Sequence, residues 1–281
     1  MPSQADKATR FRKLHEDPGT FVIPNPWDAG SARVLAALGF NALATTSSGF
    51  AFSVGRPDGA KAVSGEQVLA NARDIAVATA LPVNGDLENC YADDAQVAAG
   101  TIALAAQAGL VGCSIEDFTG DRANPIYGFA HAVERVRAAV EAARALPFDF
   151  VLTARAENLI RGVDDLADTI KRLQAFQDAG ADVLYAPGLN DIATIRSVLA
   201  EVDRPLNVLV SSGNAHLTLA QLTEAGVKRI SVGGALARAA AHAFIDAARA
   251  IAEHGDFRYA AGVVSLAQLN ELLARGAARE A

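Results

Sequence analysis

Acidic residues stand at the ends of two short β-prone runs of the sequence. Asp86 and Glu88 follow the run V-N-G, and Glu116 and Asp117 follow the run C-S-I. Since alternate side chains of an extended segment point to the same side, Asp86 and Glu88 are predicted to face the same way. The same alternation predicts that Glu116 points inward and Ile115 outward.

Carboxylates grouped in this way are typical of a magnesium site. Mg2+ takes oxygen ligands, retains several waters and commonly uses one or two carboxylates together with substrate oxygens. Asp86 and Glu88 fit that description, so the sequence predicts Mg2+ here. Mn2+ accepts the same oxygen ligands and stays an alternative. A helix cap and a solvated loop acid would also account for the two residues.

A cation and a segment of small residues follow two other apolar runs. Arg155 comes after F-V-L-T-A, and its planar guanidinium can hold a carboxylate or a phosphonate with two hydrogen bonds. An ion pair with a structural acid is the alternative, and the two roles can coexist. The segment T-T-S-S-G-F at 45–50 would let backbone N–H groups approach an anion closely.

The elements that must position these residues alternate along the chain, short β-prone runs with alanine-rich helical stretches. The runs lie at 21–23, 42–45, 83–85, 113–115, 150–153, 183–185, 207–210 and 230–232. Helices are predicted at about 28–38, 65–79, 93–108, 129–145, 163–179, 190–201, 217–225 and 234–253. This order predicts an α/β fold, a (β/α)8 TIM-type barrel, whose catalytic groups lie at the carboxyl ends of the strands.

A doubly wound open sheet is the competing architecture. It is disfavoured because no G-x-G-x-x-G follows the first run, and because eight βα units exceed the roughly five or six that are usual in such sheets. Ala-Gly pairs at 108–109, 179–180 and 225–226 are interpreted as helix ends with a left-handed glycine, which is typical of βα repeats. Ser64, Asp93-Asp94 and Asp164-Asp165 are interpreted as helix caps.

The whole chain, 1–281, is predicted to be one barrel domain with a helical extension at 256–281. An amphipathic segment, V-V-S-L-A-Q-L-N-E-L-L-A-R at 263–275, supplies a helix that a barrel does not need. Its apolar stripe must pack on the parent barrel or on a neighbouring subunit.

Composition excludes several classes of function. With 51% hydrophobic residues the chain can bury a large core, and a formal net charge of -7 without a Lys/Arg block gives no attraction to nucleic acid or acidic membranes. No apolar run approaches the roughly 18 to 20 residues that span a bilayer, and the first 15 residues lack a signal-peptide core, so a cytoplasmic protein is expected. The two cysteines are predicted to be buried thiols.

The set of motifs resembles the isocitrate lyase/phosphoenolpyruvate mutase superfamily along nearly the whole chain, from about Phe21 to Ala252. The motifs are, in order, N-P-W-D-A-G-S-A-R, T-S-S-G-F, G-R-P-D-G, D-L-E, I-E-D and T-A-R-A-E. The resemblance implies 2-oxo acid chemistry through enolate-like intermediates held on Mg2+. It also implies a homo-oligomer, a dimer or tetramer, that exchanges C-terminal helices between subunits.

The resemblance also implies roles for individual positions. The residues implied to bind substrate are Ser47, Gly49, Phe50, Asn207 and Ser211. The residues implied to organise the metal, partly through water, are Asp58, Asp86, Glu88 and Glu116. Arg155 is implied to bind the far end of the substrate, which places it with Glu116 among the catalytic candidates.

The loop after the fourth strand departs from the family pattern. It lacks the K-K/R-C-G-H motif of the lyase branch, so isocitrate and methylisocitrate lyase activities of the usual type are not expected. The K-x-N of the mutase branch is partly matched by Arg122-Ala123-Asn124, which makes Arg122 and Asn124 catalytic candidates. Arginine does not readily give up a proton, so a role that depends on lysine is not expected.

Three functions are compatible with these residues. The first is a Mg2+-dependent lyase or decarboxylase of a small 2-oxo or 2-hydroxy dicarboxylate. The second is phosphonopyruvate hydrolase or phosphoenolpyruvate mutase chemistry, and the third is a catalytically weak 2-oxo-acid binding protein. His216, which follows the seventh run, is a further candidate for acid/base work.

Overall fold

The structure, a computed structural model, describes residues 1–59 and 62–278. The strands over these residues are β1 (Phe21–Ile23), β2 (Leu43–Ala44), β3 (Val83–Asp86), β4 (Gly112–Glu116), β5 (Val151–Arg155), β6 (Val183–Tyr185), β7 (Leu206–Leu209) and β8 (Arg229–Ser231). The α-helices are α1 (Gln4–Glu16), α2 (Ala29–Ala37), α3 (Ser47–Ser53), α4 (Gly65–Ala78), α5 (Ala95–Gln107), α6 (Phe129–Arg144), α7 (Leu166–Asp178), α8 (Ile192–Leu199), α9 (Leu219–Ala225), α10 (Ala235–His254) and α11 (Leu266–Ala278). Two 3-10 turns lie at Leu159–Arg161 and Arg258–Gly262.

The predicted (β/α)8 barrel is confirmed. All neighbouring strands are parallel, in the order β1-β8-β7-β6-β5-β4-β3-β2. Ladder pairing does not join β1 to β2 in the part of the chain described, but Ala44 N donates to Pro24 O at 3.1 Å and bridges that gap. The carboxyl ends of all eight strands therefore meet at one end of the barrel.

Local sequence signals explain why the helices begin and end where they do. Ser64 forms a capping box with Gln67, and the Asp94 and Asp165 side chains accept N-terminal amides, as predicted. The glycines that close the predicted Ala-Gly pairs are all left-handed, with φ of 90° at Gly109, 101° at Gly180 and 96° at Gly226. These caps turn the chain towards the next strand.

The main apolar core lies between the strands and the outer helices, and both cysteines are buried in it without a disulfide, as predicted. A second apolar cluster closes the amino-terminal end of the barrel. There α1 places Ala8 and Phe11 against the starts of the strands, and the Lys7 ammonium donates to Ala76 O and Thr79 O. Sequence analysis missed this helix because its apolar face is only a few residues wide, within a charged segment.

The end of the chain leaves much apolar surface uncovered. No residue of α10 is buried, and the Phe244 side chain is 72% exposed. The predicted extra helix is present as α11, which packs against α2 of its own chain, where Arg275 donates to Ala37 O at 3.1 Å. No helix in the described ranges is both long and apolar enough to cross a bilayer.

Candidate active site

The carboxyl ends of the strands enclose a cavity of about 210 Å³. Among the described residues, its wall carries more negative than positive groups, five carboxylates against three guanidiniums. The acids are Asp58, Asp86, Glu88, Glu116 and Glu157, and the arginines are Arg155, Arg161 and Arg229. Polar residues such as Ser47 and Asn207 and apolar residues such as Phe118 and Ile160 also line the cavity.

Asp86, the last residue of β3, is held in one orientation. Its Oδ2 accepts hydrogen bonds from the backbone N and the Oγ of Ser47, both at 2.9 Å, and its Oδ1 accepts one from Arg155 Nη1 at 2.8 Å. The Asp86 N–H donates to Thr45 Oγ1, which ties β3 to the end of β2. The side chain is thus oriented before any ligand arrives.

The segment that supplies Ser47 is the start of a helix, and the approach of its backbone N–H groups to a bound anion stays a prediction. Thr46 caps α3, and its Oγ1 accepts the Gly49 amide at 3.3 Å. A Cβ at Gly49 would lie 2.6 Å from Thr46 Cγ2 and 3.1 Å from Trp27 Cβ, so glycine is required by close packing there. The backbone N–H of Ser47 does meet an anion, the protein's own Asp86.

Arg155 lies at the centre of a buried ion-pair network. The strand register pairs Glu116 of β4 with Arg155 of β5, and Arg155 Nη2 lies 3.1 Å from Glu116 Oε2. Glu157, which is fully buried, accepts from Arg155 Nε at 2.9 Å and lies 2.9 Å from Arg161 Nη2. The ion-pair alternative predicted for Arg155 is therefore present.

The loop after β3 has an unusual backbone. Three residues that are not glycine have positive φ, 49° at Glu88, 57° at Cys90 and 58° at Tyr91. The prediction that Asp86 and Glu88 face the same way assumed an extended chain, but the chain is not extended at Glu88. Glu88 and Asp86 nevertheless line the same cavity. Strained backbone of this kind persists where the surroundings fix a side chain for function.

The acids of the cavity are not easily ionised together. Burial, with Asp86 and Asp58 close by, raises the pKa of Glu88 to about 7. Burial and Asp86 also raise the pKa of Asp58, and burial and Glu157 raise the pKa of Glu116 well above its ordinary range. A divalent cation among these oxygens would relieve the repulsion, so the donor set fits Mg2+.

The geometry does not enclose a metal with protein ligands alone. Within residues 1–59 and 62–278, no three His, Cys, Asp or Glu side chains are arranged to hold a metal ion together. Mg2+ commonly needs only one or two carboxylates and completes its shell with water and substrate oxygens. Asp86 is held in place by Ser47 and Arg155, and Asp58, Glu88 and Glu116 line the same cavity.

Beneath these acids lies a layer of neutral and cationic groups. Arg229 is buried and donates from Nε to Asn207 Oδ1 at 2.8 Å and from Nη2 to Thr153 Oγ1 at 2.9 Å. Asn207 Nδ2 donates to Ser231 Oγ at 2.9 Å, so both ends of this amide are fixed. His15 of α1 meets Arg229 Nη1 at 3.3 Å, and burial lowers the pKa of His15 to about 3.

The structure gathers only some of the predicted site residues. Those that line the cavity are Ser47, Asp58, Asp86, Glu88, Glu116, Arg155 and Asn207. Those that lie outside it are Gly49, Phe50, Arg122, Asn124, Ser211 and His216. Phe50 packs against the apolar core, and Ser211 donates its N–H to Asn214 Oδ1. Arg122, Asn124 and His216 are exposed.

Three charged residues among the described cavity lining were not predicted as site residues. Glu157 stands in the T-A-R-A-E motif, two residues after Arg155, so alternation alone could have placed it on the same side. Arg161 lies in a 3-10 turn and Arg229 near the start of a strand. The sequence carries no spacing signal for either arginine, because only the closed barrel brings them to the cavity.

Fold and site together define a class, a (β/α)8 barrel with an acid-rich cavity at its strand ends. A sequence profile described as phosphoenolpyruvate phosphomutase matches residues 11–252. The chain belongs to the phosphoenolpyruvate mutase/isocitrate lyase superfamily.

Individual relatives span most of the chain. An uncharacterised protein of Mycobacterium tuberculosis is 34% identical over 86% of this chain and 89% of its own length. Oxaloacetate decarboxylase of Chromohalobacter salexigens is 31% identical over 88% of this chain and 86% of its own. A crystal structure from Burkholderia cenocepacia, assigned only as a lyase or mutase, is 52% identical over 96% of both chains, with a TM-score of 0.93.

Proposed function

We propose that this protein is a Mg2+-dependent carbon–carbon lyase that acts on a small 2-oxo or 2-hydroxy dicarboxylate through an enolate-like intermediate. The observation that carries the proposal is the fixed carboxylate of Asp86, which Ser47 and Arg155 orient at the mouth of the barrel. The decarboxylase among the relatives supports carbon–carbon cleavage as the reaction class.

The cavity acids would hold the metal. Asp86 would bind it directly, and Asp58, Glu88 and Glu116 would contact it through water, with Mn2+ as an alternative ion. When bound, Mg2+ supplies positive charge that stabilises negative charge developing on the substrate oxygen. Arg155 keeps Asp86 and Glu116 in place, because its guanidinium joins both carboxylates.

A hairpin beside the cavity is suited to exclude water. Phe118 pairs with Ile126 at its base, and Thr119 N donates to Pro125 O at 2.9 Å. Its tip, residues 121–124, is exposed. We propose that this hairpin covers the cavity when substrate binds, so that the reacting atoms lose contact with bulk water.

The activity test is proton NMR of the purified protein with a panel of 2-oxo, 2-hydroxy and phosphono acids. We expect pyruvate or glyoxylate to form from at least one dicarboxylate with Mg2+, above the rate with metal alone, and to disappear with excess EDTA. Conversion that survives EDTA would contradict the metal requirement. A ligand that raises the melting temperature without any turnover would favour the binding-protein alternative.

Carbon–phosphorus chemistry is the second candidate, because the matching profile is described as a phosphomutase. It would use Arg122 and Asn124, which lie outside the cavity in the hairpin tip, where Asn124 Nδ2 lies 3.4 Å from Asp121 Oδ2. Formation of pyruvate from phosphonopyruvate in the same panel, with an equal amount of inorganic phosphate in phosphorus NMR, would establish the hydrolase in place of the lyase. Interconversion of phosphonopyruvate and phosphoenolpyruvate without free phosphate would establish the mutase.

We further propose that residues 1–281 form one domain that assembles into a homo-oligomer by exchange of its C-terminal helices. The support is the apolar surface of α10, with Phe244 72% exposed and Ile245 43% exposed, and of the following extension, with Leu266 77% exposed. Surfaces of this kind mark protein interfaces.

Light scattering tests the assembly. We expect the wild type to have a mass of two or four chains of 29.1 kDa, and Phe244→Glu to shift the mass towards one chain, because a buried unpaired charge opposes association. The control Glu253→Gln, on the same helix, should leave the mass unchanged. A monomeric wild type would refute the proposal.

A further inference from the structure

Arg161 is the most exposed of the three arginines that line the cavity. It ends the 3-10 turn after β5, and its side chain is 29% exposed, against 13% for Arg155. Arg229 is only 3% exposed and lies in the layer below. A ligand that enters the cavity therefore meets Arg161 before the other two cations.

The Arg161 guanidinium is fixed from two sides. Glu157 Oε2 accepts from its Nε at 3.1 Å and lies 2.9 Å from its Nη2, and the ring of Phe118 lies 3.6 Å from its central carbon. Glu157 is fully buried and therefore holds the Arg161 guanidinium at the cavity wall. Because the group is already ordered, little rotamer entropy is lost when it binds a ligand.

Arg161 has N–H donors that are available to a ligand, whereas all three nitrogens of the Arg155 guanidinium contact carboxylates of the protein. Three carboxylates occupy Arg155, through its Nε, Nη1 and Nη2 atoms. Arg161 contacts Glu157 through Nε and Nη2, and its Nη2 also lies 3.5 Å from Glu116 Oε1. Among the described residues, neither N–H group of Nη1 has a protein partner. Those two donors suit an anionic oxygen.

We propose that Arg161 is a specificity-determining residue that binds the second carboxylate of the substrate, the one remote from the metal. This inference rests on the proposed lyase function and names the residue that would select dicarboxylates over monocarboxylates. The described part of the wall has more acids than arginines, so a second carboxylate without its own cation would be repelled there. On this proposal Arg161 binds the far end of the substrate, the role that the family resemblance implied for Arg155.

The test compares pairs of ligands that differ in one carboxylate, malate against lactate and 2-oxoglutarate against 2-oxobutanoate. Binding to wild type and Arg161→Met is measured by calorimetry with Mg2+ present. We expect the variant to bind the dicarboxylates about ten to a hundred times more weakly, as for a lost charge-assisted hydrogen bond, and the monocarboxylates less than about threefold more weakly.

Two further variants control the comparison. Arg161→Lys keeps the charge but not the planar fork over Phe118, so its loss for dicarboxylates should be intermediate. Arg196→Met removes an exposed arginine of α8, 3.5 Å from Glu224, and should change no affinity. Circular dichroism and thermal unfolding establish that Arg161→Met is folded.

The outcomes separate the two proposals. Equal weakening of both members of a pair, or no weakening of either, would overturn the role of Arg161 and leave the lyase proposal standing. Failure of the wild type to bind any of the four acids with Mg2+ would overturn both.

Discussion

Asp86→Asn is expected to lower kcat/KM for the substrate found by NMR by about a thousandfold or more, which is about 4 kcal/mol of transition-state stabilisation. Asparagine keeps the shape of the side chain but presents an amide where the carboxylate now accepts from Ser47 and Arg155. It also removes the charge that would attract a divalent cation. The remaining activity should no longer depend on Mg2+.

The measurement is steady-state turnover over a range of Mg2+ concentrations, with calorimetric titration of Mn2+ as a readout that needs no turnover. Ser47→Ala is the matched control, because it removes one hydroxyl from the Asp86 shell and keeps the carboxylate and the backbone donor. We expect it to cost about ten- to a hundredfold, well below the loss for Asp86→Asn. An Asp86→Asn variant that binds Mn2+ and turns over like the wild type would refute the metal site.

The alternation of runs and caps predicted the barrel well, because each βα unit carries its own local signal. All eight runs became strands within one or two residues, and the glycines at 109, 180 and 226 took the left-handed conformation. The acids at the ends of β3 and β4 were predicted to share the barrel mouth, since parallel strands bring their carboxyl ends together, and the structure places Asp86, Glu88 and Glu116 in one cavity.

What could not be predicted depends on tertiary contact. α1 has a charged sequence, and it is placed by Phe11 at the barrel floor and by Lys7 contacts to two carbonyls. The partners of Arg155 lie up to 69 residues away in sequence, as for Asp86, so no spacing rule reveals which acids it meets. The partners of Glu157 could not be predicted either. Its motif indicates a polar residue but does not show that Arg155 and Arg161 both donate to it.

Glu157→Gln is expected to lower the free energy of unfolding by about 3–5 kcal/mol, because it removes one member of a buried ion-pair network and leaves cations uncompensated. Glu157 has no exposed surface, and its two oxygens accept from Arg155 and Arg161. Glutamine keeps one acceptor, but its amide nitrogen must then face a guanidinium. Two donors in contact cannot satisfy each other, and the buried amide has no exposed surface through which to hydrogen-bond bulk water.

Urea unfolding followed by circular dichroism measures the change, at one fixed protein concentration since assembly would add to apparent stability. Glu224→Gln is the control, because it removes the acid of an exposed pair whose side chains are 54% and 78% accessible. Exposed pairs contribute about 0–1 kcal/mol, so this variant should unfold like the wild type. Equal stability of the two variants would show that Arg155 and Arg161 do not need Glu157, and that Glu116 and Asp86 compensate their charge.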